Sequence, residues 1–165
     1  MQVLRPSRMT QMKLRFSFIG LHVLFPLLAG GLIYICWRDP TLLMFRWFSA
    51  VGLSSVVNEL RASWSPAETS LPRWVVYSLP DGLWVYAVTA FLAHVWRGSR
   101  SSVLAVAWIS LGVVIGAGSE LGQMANIIPG SFDRMDFLFS ILAAAFAIFL
   151  TSRTFVTRSL NAATA

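Results

Sequence analysis

The sequence predicts an all-α fold, a polytopic transmembrane helix bundle of about four spans with one further interfacial or re-entrant helix. Of the 165 residues, 56% are hydrophobic and 12% are charged, whereas a soluble domain usually carries about 25% charged residues. The mean hydropathy is +0.68, and the apolar residues lie in long blocks of the kind that membrane spans require. The length fits a single membrane domain that covers residues 1–165.

Four apolar blocks are long enough to cross a bilayer, which needs about 20 residues of helix. The first covers residues 16–37 and contains no Asp, Glu, Lys or Arg. The second covers 74–96, and its sequence SLPDG at 78–82 predicts a kinked or partly unwound helix, because proline removes a backbone donor and glycine loosens the helix. The third covers 101–122 and is rich in small residues, which let neighbouring helices approach closely. The fourth covers 136–155.

Residues 40–66 do not form a further block of this kind. Their apolar core, 42–57, is shorter than a comfortable span and contains Arg46, so we expect an interfacial or re-entrant helix there. The connections at 97–100 and 123–135 are short, which predicts that neighbouring spans are antiparallel.

Basic residues lie mainly at the ends of the apolar blocks. The formal charge is +6, but no basic helix face or RNA-binding motif accompanies it, so we interpret these charges as topology signals and expect no nucleic-acid partner. Their distribution favours a cytoplasmic N-terminus. Both termini are then cytoplasmic, and all seven acidic residues lie on or near the outer half of the bundle. Cys36 is the only cysteine, which excludes an internal disulfide and favours a packing role.

Several acidic and amide side chains fall at the same end of the predicted bundle. Glu120 and Gln123 are three residues apart at the outer end of the third span, so they share a helix face. Asp133 and Asp136 have the same spacing where the fourth span begins. Asp81 lies within the second span, where a carboxylate is costly unless it is paired, protonated or open to water. Three spans are therefore predicted to direct polar groups towards one outer pocket.

The last third of the chain contains a pattern of known type. The segment SELGQ at 119–123 is followed by IPGSFDRMD at 128–136 and by an apolar final helix. This arrangement resembles the VanZ-like family of small bacterial integral membrane proteins, in which an E-x-x-Q helix end, a Pro-Gly turn and two aspartates three residues apart precede the last span. The residues that match the family's polar positions are Glu120, Gln123, Asp133 and Asp136.

The resemblance is looser elsewhere in the chain. Asp81 matches an aspartate at the start of an earlier span, but LWVY at 83–86 replaces the histidine that usually follows it, and Ser140 stands where asparagine is common. Any chemistry that needs that imidazole is excluded here. The resemblance implies a multi-pass protein of the bacterial inner (plasma) membrane that acts on the cell envelope. Some relatives are linked to teicoplanin resistance, and the family implies no established reaction.

These features predict an outward-facing polar cleft that recognises an envelope lipid or a lipid-linked glycan, beyond ordinary contact with membrane lipids. Arg134, with Arg73 as a second candidate, is expected to meet a phosphate, while the carboxylates and the carboxamide meet hydroxyl groups. Trp84 lies deeper in its span and is expected to stack on the ligand. The candidate ligand-binding residues are Asp81, Trp84, Glu120, Gln123, Asp133, Arg134 and Asp136.

Two other interpretations of the same residues remain open. The acids can be structural, because Asp133 and Asp136 favour the positive N-terminus of the last helix and buried polar groups often bond between membrane helices. The chain can also be a non-catalytic accessory subunit of a larger membrane complex. In that case Gly112, Gly116 and Gly118 would dock on other membrane-protein subunits.

The sequence contains no recognisable catalytic set. It has no Ser/His/Asp arrangement, Gly-rich phosphate loop or catalytic zinc motif, so no catalytic residue, metal site or cofactor is predicted and an enzyme is the less favoured class. The acids could suit a hard cation, but their spacing is too generic to indicate one. His22 and His94 fall towards the cytoplasmic ends of the first two spans, where two-histidine haem ligation is geometrically conceivable. Lone histidines near the interface are the favoured interpretation.

Overall fold

The described residues form seven α-helices and no β-strand. The structure is a computed structural model that describes residues 9, 16–64, 71–96 and 102–163, with side chains as far as Thr151. Helix α1 contains a π-helical turn at Gly20–Leu24. The helices are α1 (Phe16–Trp37), α2 (Leu43–Ala50), α3 (Ser54–Trp64), α4 (Arg73–Val95), α5 (Ser102–Ile109), α6 (Leu111–Met124) and α7 (Arg134–Ala163).

Three of these helices are long and apolar enough to cross a membrane on their own. They are α1, α4 and the Arg134–Thr151 part of α7. Helices α5 and α6 meet the same criterion only as a pair, because they are bent by 50° at a short break. The described residues therefore contain three helices that could span a membrane, or four if the bent pair is one span. The apolar blocks predicted from the sequence coincide with these helices to within a few residues.

Helix α4 is the centre of the bundle and packs against α1, α6 and α7. It is antiparallel to α1, since Phe18 stacks on His94 at a centroid distance of 4.5 Å while Gly30 faces Trp84. Helix α7 runs parallel to α4. The C-terminal ends of α1 and α6 and the N-terminal ends of α4 and α7 therefore meet at one end of the bundle, which we call the polar end.

The partial unwinding predicted at residues 78–82 is wrong, because α4 is helical throughout Arg73–Val95. One proline removes a single backbone hydrogen bond, and Pro80 lies buried inside the bundle, where packing on both sides supports the helix. Gly82 contributes to that packing, since a Cβ atom there would lie 3.2 Å from Phe139. A bend of 50° lies beside Ser110, between α5 and α6.

Helices α2 and α3 form a hairpin that stays at the polar end. At a rise of about 1.5 Å per residue, their lengths of 8 and 11 residues are well short of a bilayer core of about 30 Å. The Arg61 guanidinium in α3 donates to the carbonyl oxygens of Ile35 (2.7 Å) and Arg38 (2.9 Å). The indole N–H of Trp37 donates to the carbonyl of Trp64 at 3.2 Å. The hairpin thus returns to the point where α1 ends, as an interfacial or re-entrant segment must.

The two histidines lie at the opposite end of the bundle and pack with aromatic rings. The Phe18 ring contacts both imidazoles, at centroid distances of 4.7 Å for His22 and 4.5 Å for His94. His22 Nδ1 also forms a 2.6 Å hydrogen bond with the hydroxyl of Tyr86. The space that a haem between the two histidines would need is therefore occupied by a phenylalanine side chain.

Candidate functional site

A cavity of about 880 Å³ lies at the polar end, where four helix ends converge. Its wall includes Asp81 from α4, Glu120 and Gln123 from α6, Asp133 from the connection between α6 and α7, and Asp136 from α7. These are the acidic and amide residues that the sequence placed in one outer pocket, and the structure brings all of them together. The convergence follows from the helix directions, since two helices end and two begin at this level.

Glu120 anchors the connection between α6 and α7. Its side chain is buried, with 8% exposed, and its Oε2 accepts a 2.9 Å hydrogen bond from the backbone N–H of Asp133. The Asp133 carboxylate in turn accepts a 2.7 Å bond from the backbone N–H of Met135 and so caps the start of α7. Part of the acidic cluster is therefore structural, as one of the open interpretations held.

The Pro-Gly turn folds back onto Gln123. Gly130 has a φ of 136°, which side-chain-bearing residues rarely adopt. A Cβ atom at Gly130 would also lie 2.7 Å from the Gln123 side-chain nitrogen. Glycine suits this position on both counts, and Gly130 and Gln123 lie side by side in the cavity wall.

Asp81 and Asp136 are half-buried in the wall of the same cavity. Ser78, one turn before Asp81 on α4, donates a hydrogen bond to the Asp136 carboxylate. The Oδ1 atom of Asp136 is buried and has no hydrogen-bond partner among the described residues. Asp81 is close enough to Asp136 and Glu120 to be repelled by both, and Arg38 is the cation that offsets this repulsion. Among the described residues the Asp136 carboxylate is thus incompletely satisfied, which makes it a candidate for ligand binding.

Arg38 extends from the end of α1 into the cavity wall. Its guanidinium carbon lies 4.9 Å from the ring centroid of Tyr34 and 5.1 Å from that of Tyr77. Its Nε is buried without a hydrogen-bond partner among the described residues. Arg73 lies 5.8 Å from the Tyr77 ring on the other side of the same wall. The cavity therefore holds two cations that are positioned by aromatic faces.

Sequence reasoning missed Arg38, Tyr77 and Ser78, although local spacing contained a signal for each. Tyr34 and Arg38 are four residues apart at the end of α1, which places them on one helix face. Ser78 precedes Asp81 by three residues and Tyr77 precedes it by four, so both share the face of that carboxylate. Extending the acidic set by helical spacing would have found the two α4 residues.

Two predicted site residues lie elsewhere. Arg134 is exposed and is absent from the wall of this cavity, whose arginines are Arg38 and Arg73. Trp84 points towards α1, where its ring stacks on Tyr34 at a centroid distance of 5.5 Å. Its indole also packs directly against Gly30, where a Cβ atom would lie 2.8 Å from the indole nitrogen. Trp84 thus contributes to helix packing and lines a neighbouring cavity rather than the large one.

That neighbouring cavity, which we call the side groove, has a volume of about 420 Å³ and runs between α4 and α6. Its apolar part is formed by Val85 and Val88 of α4 and by Ile115 of α6, with Gly112 and Gly116 between them. The groove meets the large cavity at residues common to both walls. These shared residues are Asp81, Glu120, Gln123 and Asp136.

The polar end carries both negatively and positively charged side chains that could bind a ligand. Carboxylates and the carboxamide accept hydrogen bonds from hydroxyl or ammonium groups, and the two arginines suit phosphate. Across the part of the chain that the structure describes, no three Asp, Glu, His or Cys side chains are grouped so as to hold a metal ion.

One carboxylate outside the spans, Asp39, has its pKa lowered by hydrogen bonds from the backbone N–H and the side chain of Thr41.

Comparison with known proteins identified no relative. No family model, no curated protein and no solved structure matches this chain. The class of protein is therefore defined by the fold itself, which is all-helical in its described part and contains several helices apolar enough for a multi-pass membrane protein.

Proposed function

We propose that this chain is a VanZ-like inner-membrane protein whose polar cavity binds the headgroup of a cell-envelope lipid or lipid-linked glycan. The observation that carries the proposal is the convergence of Asp81, Glu120 and Asp136, from three separate helices, with Arg38 on one cavity. Ionisable residues within membrane helices are rare and costly, and they generally mark binding sites or transport paths. In a purely structural cluster the polar atoms would bond to one another, whereas Asp136 and Arg38 both retain buried atoms that have no hydrogen-bond partner among the described residues.

The distribution of charge favours a headgroup that contains both a phosphate and donor groups. Arg38 and Arg73 lie on the α1 and α4 side of the cavity, near Tyr77. The carboxylates of Asp81 and Asp136 line the same cavity and can accept hydrogen bonds from hydroxyls or an ammonium group. Aromatic faces such as that of Trp74 in the cavity wall suit stacking against a sugar ring or a cation. Recognition rather than catalysis is the role that these groups support.

The resemblance to VanZ-like proteins supports a role in the cell envelope. The residues that carry it, Glu120, Gln123, Asp133 and Asp136, all belong to the cavity wall. In the proposed orientation the cavity faces outward, both termini are cytoplasmic, and ligand binding affects susceptibility to teicoplanin-type antibiotics that target envelope precursors.

The alternative, a non-catalytic accessory subunit of a larger complex, has less support. Its motivating feature was a face of three glycines on α6, but two of them pack inside the chain. A Cβ atom at Gly116 would lie 2.6 Å from Val85, and one at Gly112 would meet Thr89. Gly118 alone of the three faces open space, which leaves a small surface for docking.

Native mass spectrometry of the protein extracted gently from its own membrane tests the proposal. We expect a stoichiometric bound lipid or lipid-linked glycan on the wild-type protein and its loss from the double variant Asp81→Asn with Glu120→Gln. The matched control is Glu59→Gln, which removes an exposed carboxylate from α3, outside the cavity, and should keep the ligand. Retention of the ligand by a folded double variant would contradict the proposal, and so would a stoichiometric protein partner without bound lipid.

A further inference from the structure

We infer that the side groove holds a hydrocarbon chain of the ligand, so that the ligand is a membrane lipid that enters sideways between α4 and α6. This inference rests on the proposed function, because it assigns the headgroup of the same lipid to the polar cavity. It adds the route of entry, the position of the chain and the requirement that the ligand be an amphiphile.

The side groove opens towards the membrane rather than towards water. Its rim is formed by Val88, which is 37% exposed, and by Ile115, which is 62% exposed. Both belong to apolar helices whose outer surfaces are in contact with lipid chains when the bundle is in a bilayer. An apolar recess that is open to the hydrocarbon core is filled by hydrocarbon, since water is scarce there.

The inner wall of the groove is formed where α6 meets α4 through glycines. Gly112 and Gly116 let the two helices approach closely, since a Cβ atom at Gly116 would lie 2.6 Å from Val85. The bend of 50° between α5 and α6 directs α6 at a different angle from α5. The groove volume of about 420 Å³ lies within the range of roughly 300–1,000 Å³ that is typical of small-molecule sites.

Continuity with the polar cavity identifies the occupant as an amphiphile. Asp81, Glu120 and Asp136 line both spaces, so the boundary between polar and apolar surroundings falls at these carboxylates. A lipid has the same boundary where its headgroup joins its chains. A water-soluble sugar or phosphate would occupy only the polar cavity, and the groove would then be filled by ordinary membrane lipid.

Photo-crosslinking of the full chain in phospholipid vesicles tests this inference. Two probes are used, phosphatidylethanolamine with a diazirine in one acyl chain and phosphatidylethanolamine with a diazirine on the headgroup. Phosphatidylethanolamine is chosen because it combines a phosphate for Arg38 and Arg73 with an ammonium group for the carboxylates. We expect the chain probe to label the groove segments 84–88 and 112–116, and the headgroup probe to label the cavity wall.

Two substitutions of similar exposure provide the matched comparison. Ile115→Trp places an indole in the groove mouth and should abolish groove labelling by the chain probe. Val114→Trp adds the same ring to the neighbouring position, which is 60% exposed and lies outside the groove wall, and should leave the labelling unchanged. Both sites face outwards, so neither change disturbs the packed interior.

The outcomes separate this inference from the function on which it depends. Headgroup labelling at the cavity with chain labelling spread over all lipid-facing helices would overturn the side-groove inference and leave headgroup binding intact. Absence of localised labelling by either probe would overturn both. Equal loss of groove labelling in the Val114→Trp protein would also reject the groove, because the effect would then belong to the helix surface in general.

Discussion

The backbone N–H of Asp133 donates a 2.9 Å hydrogen bond to the carboxylate of Glu120, which fastens the connection between α6 and α7 to the end of α6. This contact joins the two halves of the sequence pattern on which the family resemblance depends. It also distinguishes two of the acids, because Glu120 accepts a hydrogen bond within the protein, while a buried oxygen of Asp136 has no partner in the part of the chain that the structure describes.

Glu120→Ala should therefore destabilise the protein even in the absence of any ligand. It removes the acceptor for the Asp133 N–H, and a partly buried hydrogen bond of this kind contributes about 0.5–1.5 kcal/mol. Glu120→Gln keeps an acceptor oxygen and should retain most of the stability. Thermal unfolding in detergent and amide hydrogen exchange of residues 125–133 measure the effect. Equal stability of the alanine and wild-type proteins would show that this hydrogen bond contributes nothing to the fold.

Arg38→Gln should weaken binding of a phosphate-bearing headgroup, while Arg134→Gln should not. The Arg38 guanidinium lies in the cavity wall, and its backbone contact with Arg61 uses only the carbonyl oxygen, so the fold survives the substitution. A hydrogen bond to a charged group contributes about 1.5–3 kcal/mol, so we expect roughly 10-fold weaker binding or more. Titration calorimetry with glycerophosphoethanolamine provides the measurement.

Arg134 is the control for that experiment, because it carries the same charge at the same end of the bundle but is exposed and outside the cavity wall. Similar losses at Arg38 and Arg134 would indicate a general electrostatic effect rather than a specific phosphate contact.

Gly116→Ala and Gly118→Ala should change stability in opposite directions. A methyl group at Gly116 would meet Val85 at 2.6 Å and Ser140 at 2.8 Å, and overpacking of this kind costs about 1–3 kcal/mol. Gly118 faces open space, so alanine there should stabilise the helix by about 0.5–1 kcal/mol. Thermal unfolding of the purified variants distinguishes the two. A stable Gly116→Ala protein that has lost a partner subunit would instead revive the accessory-subunit alternative.

The span positions and the acidic end could be predicted because they depend on local features. A run of about 20 apolar residues must form a helix of bilayer length, and an acid near the end of such a run is at a known depth. Glu120 and Asp136 were therefore placed correctly at one end of the bundle.

Side-chain direction could not be predicted in the same way, because it depends on how each helix is rotated against its neighbours. Trp84 turns to Tyr34 and Gly30 on α1, and Gly116 turns inwards to Val85 and Ser140. These are contacts between residues far apart in sequence. A single sequence shows which residues are polar or small, but not which partner each one meets.

Thr41→Val should raise the pKa of Asp39 towards its usual value. In the wild-type protein, the Thr41 backbone N–H (2.8 Å) and hydroxyl (2.7 Å) both donate to Asp39 Oδ1 and favour its ionised form. Since the folded pKa is lowered, the stabilisation is present above the pKa of the unfolded chain and is lost as the pH falls through the folded value. Titration of labelled Asp39 carboxyl carbons by NMR gives both pKa values. Identical pKa values would show that the Thr41 hydroxyl does not bond in solution.

The orientation of the polar end decides whether the cavity can meet an envelope ligand, and cysteine labelling in intact cells measures it. Ile127 is 80% exposed, in the connection that borders the cavity, so Ile127→Cys should react with a membrane-impermeant maleimide added outside. Ser99→Cys, in the connection between α4 and α5, should react only after the membrane is permeabilised. The native thiol of Cys36 is 3% exposed and is replaced by alanine in both proteins to remove background. The reverse pattern would direct the cavity to the cytoplasm, where an outer-leaflet headgroup cannot reach Asp81.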